Sequence, residues 1–321
     1  MPLPPGPKQL PLIGNIHQVI GVLPHQSLAS LAKKYGPLMH LQLGEVTLVV
    51  ISSPDVAKEI LKDQEHCFAQ RPEITANEIL SYANASLILD RIISNHEVKL
   101  RSNTATYSED VVDVLLKQQQ TSDLNFPITM NVIKDVIMSE VRAALKGKTR
   151  IKESDIQNLE YLKNIVKETL RLHPPGTLMP KEATEECTVR GYRMPRKAKV
   201  VFNLSVFGRD LEYWSDPESF KPERFEETSI DFRGGSFEYL PFGGWRRICP
   251  GINFALANIE LPLAQLLYHF DWETADGKKP EELDMTESFG ITSKRKNDLV
   301  LFPTIVIVAT SEEGDVPGEL D

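Results

Sequence analysis

The sequence predicts a fold of mixed α and β structure, mainly helical, with a small β-sheet. Three features of its apolar pattern predict it. Residues 25–35 carry Leu28, Leu31, Ala32 and Tyr35 on one helical face, and Leu159, Leu162, Val166 and Leu170 form a second such stripe. Two β-rich runs, Leu38 to Leu43 and Val46 to Ile51, flank Gly44-Glu45, which is a hairpin signal. Val200-Val201-Phe202-Asn203-Leu204 reads as a buried strand.

Taken in order, Met1-Pro2-Leu3-Pro4-Pro5-Gly6-Pro7 is stiff and extended. Gly36-Pro37 stops the first helix. Ser53-Pro54 opens another, running to about Lys62, with a serine at the N-cap and proline in the first turn. Residues 93–127 are polar, with a short helical stretch at Val111, Val112, Leu115 and Leu116. Ser154-Asp155-Ile156-Gln157 reads as a capping box opening the helix of the second stripe. On that helix Glu168 and Arg171 are three residues apart, share a face and can pair. A last helix follows Gly251, with Pro250 at its first position, a kink at Pro262 and an end at Phe270-Asp271-Trp272. Lys294-Arg295-Lys296 reads as a solvated loop, and residues 311–321 as a disordered tail.

A chain of 321 residues can bury a sizeable core, and its 41% hydrophobic and 25% charged content is ordinary for a soluble globular protein. The net charge of −9 argues against nucleic-acid binding. Cys67, Cys187 and Cys249 are far apart and odd in number, so no disulfide framework or paired zinc motif follows from their spacing. That usage suits a reducing compartment. No apolar run reaches the ~18–20 residues that span a bilayer, no signal peptide is evident, and no glycine-rich nucleotide motif opens a helix.

Chemistry concentrates in Pro241-Phe242-Gly243-Gly244-Trp245-Arg246-Arg247-Ile248-Cys249-Pro250-Gly251. This places one cysteine at the predicted start of a helix, where the partial positive charge favours a thiolate, and Arg246 and Arg247 push the same way. Such a cysteine suits a nucleophile, a redox thiol or a metal ligand. A buried cysteine without chemistry is the plain alternative.

The spacing Phe-x-x-x-x-Arg-x-Cys-x-Gly resembles the cysteine-ligand loop of the haem-thiolate monooxygenases, the cytochrome P-450 superfamily, with Phe242, Arg247, Cys249 and Gly251 in place. The resemblance implies haem b as cofactor, its iron ligated by the Cys249 thiolate, with Arg247 on a propionate. One position departs: the family has glycine where this chain has Trp245. Glu168-Thr169-Leu170-Arg171, then Leu172-His173-Pro174-Pro175, then Phe220-Lys221-Pro222-Glu223-Arg224-Phe225 follow the family's order. They imply a buried triad of Glu168, Arg171 and Arg224 beneath the cysteine loop. Lys181 stands where the family usually has a propionate-binding arginine; a surface lysine is the alternative. Glu186 to Pro195 looks like the next hairpin, with Cys187 structural. Tyr35-Gly36-Pro37-Leu38 and Phe68-Ala69-Gln70-Arg71-Pro72 resemble the N-terminal sheet region.

The resemblance covers residues 2–87 and 151–303 well and breaks twice between, near residue 88 and near Ile137-Met138. Neither the family's Trp-x-x-x-Arg segment nor its acid–threonine motif on the distal helix occurs, so no oxygen-activating residue is assigned. The expected architecture is a shortened fold of this family in one domain, residues 1–310. Its parts are an N-terminal sheet region (1–90), a shortened middle (91–150) and a haem-binding core (151–310). The implied activity is insertion of one oxygen atom from O2 into a small apolar, terpenoid-like metabolite, as in plant microsomal members. An NADPH-dependent reductase would be the partner and a monomer the working state, at the cytoplasmic face of the endoplasmic reticulum. Without the usual N-terminal anchor, a soluble protein is the expected variant. The competing expectation is an inactive, shortened member that binds haem weakly or not at all.

Overall fold

The hairpin forms over the predicted residues: β1 (Leu38–Leu43) pairs antiparallel with β2 (Val46–Ile51), Leu43 opposite Val46 across the Gly44-Glu45 turn. This computed structural model describes residues 1–20, 23–68, 70, 130–148, 150–226, 228–275, 277–278, 282–288 and 292–306. The sequence stretch 93–127, with its short helix, the tail 311–321 and residues 289–291 lie outside them.

The sheet has four strands. β2 runs parallel to a strand at Lys199–Asn203, which is antiparallel to β3 (Leu178–Glu182). Between these in sequence lie β4 (Cys187–Val189) and β5 (Tyr192–Met194), a hairpin of their own, so the strand at Lys199–Asn203 is β6. Side chains alternate across the sheet. One face, with Met39, Leu41, Leu48 and Val50, packs against Leu28 of α1 (Pro24–Tyr35). The other, with Val49, Ile51, Val200 and Phe202, packs against Val56, Ile60 and Phe68.

Those last residues come from a helix that changes gauge. It starts as α2 (Pro54–Lys58), widens into a π-helical turn at Glu59–Asp63, and is followed by the short α3 (Glu65–Phe68). Ser53 occupies the N-cap position but its side chain makes no capping hydrogen bond. The expected serine cap is therefore absent, and Pro54, which has no N–H to satisfy, carries the first turn.

The helical half is built from α4 (Met130–Ala144), α5 (Glu160–Leu172) and a long helix at Ile252–His269. The one-turn α6 (Leu204–Phe207) follows β6, so the long helix is α7. Ile137, Met138 and Val141 of α4, with Leu145 just past its end, interlock with Leu159, Leu162 and Ile165, and with Ala264 and Tyr268 of α7. Ile137-Met138, where the sequence resemblance was expected to break, lies inside one unbroken helix, with both residues buried.

Three further expectations change. The capping box does not open α5: Lys152 N–H and the Asp155 carboxylate close a short 3-10 turn at Glu153–Asp155, and α5 begins at Glu160. Its free N–H groups are met from another helix, since the two Glu140 carboxylate oxygens accept from Tyr161 N–H at 2.9 Å and Leu162 N–H at 3.1 Å. Pro250 lies outside α7, whose N-cap is Gly251. Pro262 lies inside α7, which ends at His269, as expected, and passes into β7 (Phe270–Thr274). Lys294-Arg295 is not loop but the strand β9, paired with β8 (Glu287–Ser288); β10 (Leu301–Ile305) pairs with β7.

Candidate functional site: the cysteine loop and its charged base

The base of the site is built on α5. Glu168 and Arg171 are both fully buried, and Arg224, from a 3-10 turn at Pro222–Phe225, is nearly so. Glu168 Oε2 accepts from Arg171 Nε at 2.7 Å, and Oε1 accepts from Arg171 Nη2 at 2.8 Å and Arg224 Nε at 3.0 Å. The same Oε1 also takes Lys221 N–H at 2.7 Å. The remaining guanidinium donors find main-chain carbonyls. Arg171 donates to Gly208, Pro217 and Ser219, and Arg224 to Ser215, Asp216 and Ser219. Every charge in this network has a planar or bidentate partner, the geometry in which buried ion pairs are tolerated. The three residues that the sequence order grouped are thus brought together.

Two supporting features had no local signal in the sequence. Trp214 lies against both guanidinium groups, with Arg171 Cζ at 5.2 Å and Arg224 Cζ at 6.0 Å from its ring. Gly208 is held because a Cβ there would meet the Arg171 carbonyl oxygen at 2.3 Å, closer than any side chain tolerates. Both contacts join segments tens of residues apart.

Above the base, the loop turns back on itself. Cys249 N–H donates to the Phe242 carbonyl at 2.9 Å, and the Phe242 ring packs edge-on against Phe232 at 5.7 Å. Cys249 is a half-buried free thiol, two residues before the N-cap of α7. Gly251 has an ordinary φ of −89°, so the backbone does not demand glycine there. A Cβ would stand 3.7 Å from Cys249 Sγ, and the glycine leaves that side of the sulfur clear. Gly234 admits the loop: with φ +82°, its added Cβ would meet Gly244 Cα and Trp245 N at 3.0 Å.

Trp245 adopts φ +55°. This is left-handed backbone that costs an ordinary residue about 1–2 kcal/mol and glycine almost nothing. Its indole points outward and is 39% exposed. The ring N–H donates to Glu65 Oε2 at 3.2 Å, and Lys62 Nζ sits 5.8 Å from the ring. Arg246, expected to polarise the cysteine, instead reaches out to the same Glu65 oxygen at 3.1 Å. The side chain of Arg247 lies outside the described residues. Lys181 is not a surface lysine: it is buried, in β3, opposite Val200 of β6.

A prediction isolates the strain at position 245. Trp245→Gly is expected to be more stable than Trp245→Ala by about 1 kcal/mol, reversing the usual order in which glycine is worse by about 0.5–1 kcal/mol. Both variants lose the indole contacts, so the difference in their urea midpoints reports the backbone alone. An alanine variant equal to or more stable than the glycine variant refutes it.

A separate cleft of about 490 Å³ opens between α1, the start of β3 and the end of α5, lined by His25, Ser52, Leu172, Thr177, Arg209 and Glu287 among others. None of the haem-ligand, propionate or triad residues expected from sequence lines it. Among the described residues no helix is long and apolar enough to cross a membrane.

Comparison with known proteins agrees with this geometry. The sequence model of the cytochrome P-450 family matches residues 4–106 and 128–302. The chain is similar to a melianol synthase from Melia azedarach (35% identical over 463 residues) and to premnaspirodiene oxygenase from Hyoscyamus muticus (35% over 464). It is also similar to 5-epiaristolochene 1,3-dihydroxylase from Nicotiana tabacum, 35% identical over 466 residues. In each case 94% of this chain and 92% of the relative are covered. The first alignment is longer than the chain, 463 positions against 321 residues, so at least 142 of its positions (463 less 321) face no residue here. With its cysteine loop, its charged base and a family match at both ends of a shortened middle, this chain belongs to the cytochrome P-450 family.

Proposed function

We propose that the chain binds haem b through the Cys249 thiolate and inserts oxygen into a small apolar, terpenoid-like molecule, taking electrons from an NADPH-dependent reductase. The observation that carries this reading is the loop itself. A half-buried free cysteine precedes the α7 N-cap, is hydrogen-bonded through its N–H to Phe242, and has its sulfur left clear by Gly251. The relatives' printed activities, an oxygenase, a dihydroxylase and a synthase of terpenoid-type products, supply the substrate class.

These residues fit a flat apolar macrocycle on the cysteine side. α7 leaves much of its apolar surface uncovered beyond the loop: Phe254 is 76% exposed, and Leu256 and Ile259 are only half-buried. Cys249 would ligate the iron, Phe242 would pack beneath the loop, and Arg247 with Lys181 would meet the propionates. Bound haem with a thiolate ligand supplies the electron push that favours O–O cleavage. The protein's part on this side is orientation. The Cys249 N–H to Phe242 bond fixes the sulfur, and the Glu168–Arg171–Arg224 network holds the ground beneath it. Lys181 is a point charge rather than a fork, so it would hold a carboxylate less directionally than arginine. Work at the cytoplasmic face of the endoplasmic reticulum belongs to the same proposal.

A second reading, a haem-binding or haem-free member without turnover, is favoured by α4. This helix runs through Ile137-Met138 into Val141 with no acid–threonine pair to pass protons toward bound oxygen. One experiment separates the readings. Haem titration followed by the absorption spectrum of the reduced, carbon-monoxide-bound protein is expected to show thiolate ligation. Substrate oxidation with reductase and NADPH then tests turnover. A histidine-type spectrum, or no haem uptake, overturns the ligand assignment; thiolate ligation without product establishes the second reading.

A further inference from the structure

Away from the cysteine loop, we propose that His66, Cys67 and Glu185 form a binding site for a thiophilic divalent cation of the zinc class. Sequence spacing gives no hint of it, because Glu185 lies more than a hundred residues from the other two donors. The fold closes that gap. Ligand atoms of His66, Cys67 and Glu185 all lie within 4.8 Å of one another. Cys67 Sγ is 3.5 Å from Glu185 Oε1, and His66 Nε2 is 3.7 Å from the same oxygen. A cation about 2.3 Å from sulfur and 2.0–2.2 Å from oxygen, at the tetrahedral angle, separates those two donors by about 3.5 Å. Cys187, packed against the same core cluster as Cys67, is not part of that group.

The frame is independent of any metal. Thr184 N–H donates to the Cys67 carbonyl at 2.8 Å, and its hydroxyl reaches the His66 and Cys67 carbonyls at 3.2 and 3.1 Å. The chain next to Glu185 is thereby pinned to the chain of His66 and Cys67. Cys187 opens β4, locked opposite Met194. Cys67 is buried, whereas the His66 and Glu185 side chains are 70% and 59% exposed, which leaves an entry path. A sulfur, an imidazole and a carboxylate form a donor set that suits zinc rather than calcium or magnesium. The site would also brace the cysteine loop, because Glu65 on the same short helix holds Trp245 and Arg246.

The test is a titration of the thiol-reduced full chain with Co²⁺ alone, followed by displacement with Zn²⁺. Saturation near one equivalent is expected, with thiolate-to-cobalt charge transfer and the strong visible bands of tetrahedral cobalt. Cys249→Ser should titrate alike. Cys187→Ser should keep the charge-transfer band and Cys67→Ser should lose it. His66→Gln, at an exposed position with little bearing on folding, should keep the charge-transfer band and weaken affinity at least ~10-fold. Absence of the band in the reduced chain overturns the proposal. So do a band that disappears only with Cys249, wild-type affinity in His66→Gln, or recovery of Cys67 and Cys187 solely as a disulfide under the reducing conditions used.

Discussion

Glu168→Ala is expected to yield little folded protein. The substitution removes the one carboxylate that meets Arg171 Nε and Nη2 and Arg224 Nε, and leaves the Lys221 N–H without its acceptor. Arg171 is 1% exposed and cannot turn to water. Removing one partner of a buried pair typically costs about 3–5 kcal/mol, against a total stability of about 5–15 kcal/mol. Glu168→Gln keeps the shape and one acceptor, and should fall between alanine and wild type. The control is Glu186→Ala, which breaks the pair with Arg193 where both side chains are half exposed. There about 0–1 kcal/mol is expected. Urea midpoints of the three variants decide the matter; a wild-type midpoint for Glu168→Ala would mean that the network bears no weight.

Cys249→Ser is expected to abolish thiolate character in the reduced, carbon-monoxide-bound spectrum altogether, rather than weaken it. A serine hydroxyl is of similar size and leaves the N–H to Phe242 in place, so the loop should survive. What it cannot supply near neutral pH is an anionic sulfur. Cys67→Ser and Cys187→Ser should leave that spectrum intact. An unchanged spectrum in the Cys249 variant, or one lost in either of the others, assigns the ligand elsewhere.

What could be read from the sequence divides along the reach of the forces involved. The β1–β2 hairpin and α1 were legible because alternation and helical periodicity act between near neighbours, and the apolar stripe of α5 stands out for the same reason. The start of α5 was misplaced because its N-terminal N–H groups are capped by Glu140 across a helix–helix contact, while the local serine–aspartate signal was spent on a 3-10 turn. In the cysteine loop, composition pointed to a tight turn. It could not show that Glu65 draws both Trp245 and Arg246 away from the sulfur. The cluster around Cys67 was invisible for the plainest reason: chain separation hides any site whose halves meet only after the sheet has formed.

The packing of α4 imposes an arithmetic on any change of length within it. Each residue added to or taken from a helix turns everything beyond it by about 100°. Ile137, Val141 and Leu145 stand four apart, and all three are fully buried against α5 and α7. One residue inserted or removed at Ile137-Met138 would swing Val141 and Leu145 about a quarter-turn or more toward water and bring polar neighbours such as Ser139 and Arg142 toward the core. A middle of variable length is therefore open to this architecture only in steps that restore angular phase. That is a restriction on rotation, indifferent to which helices the longer relatives keep.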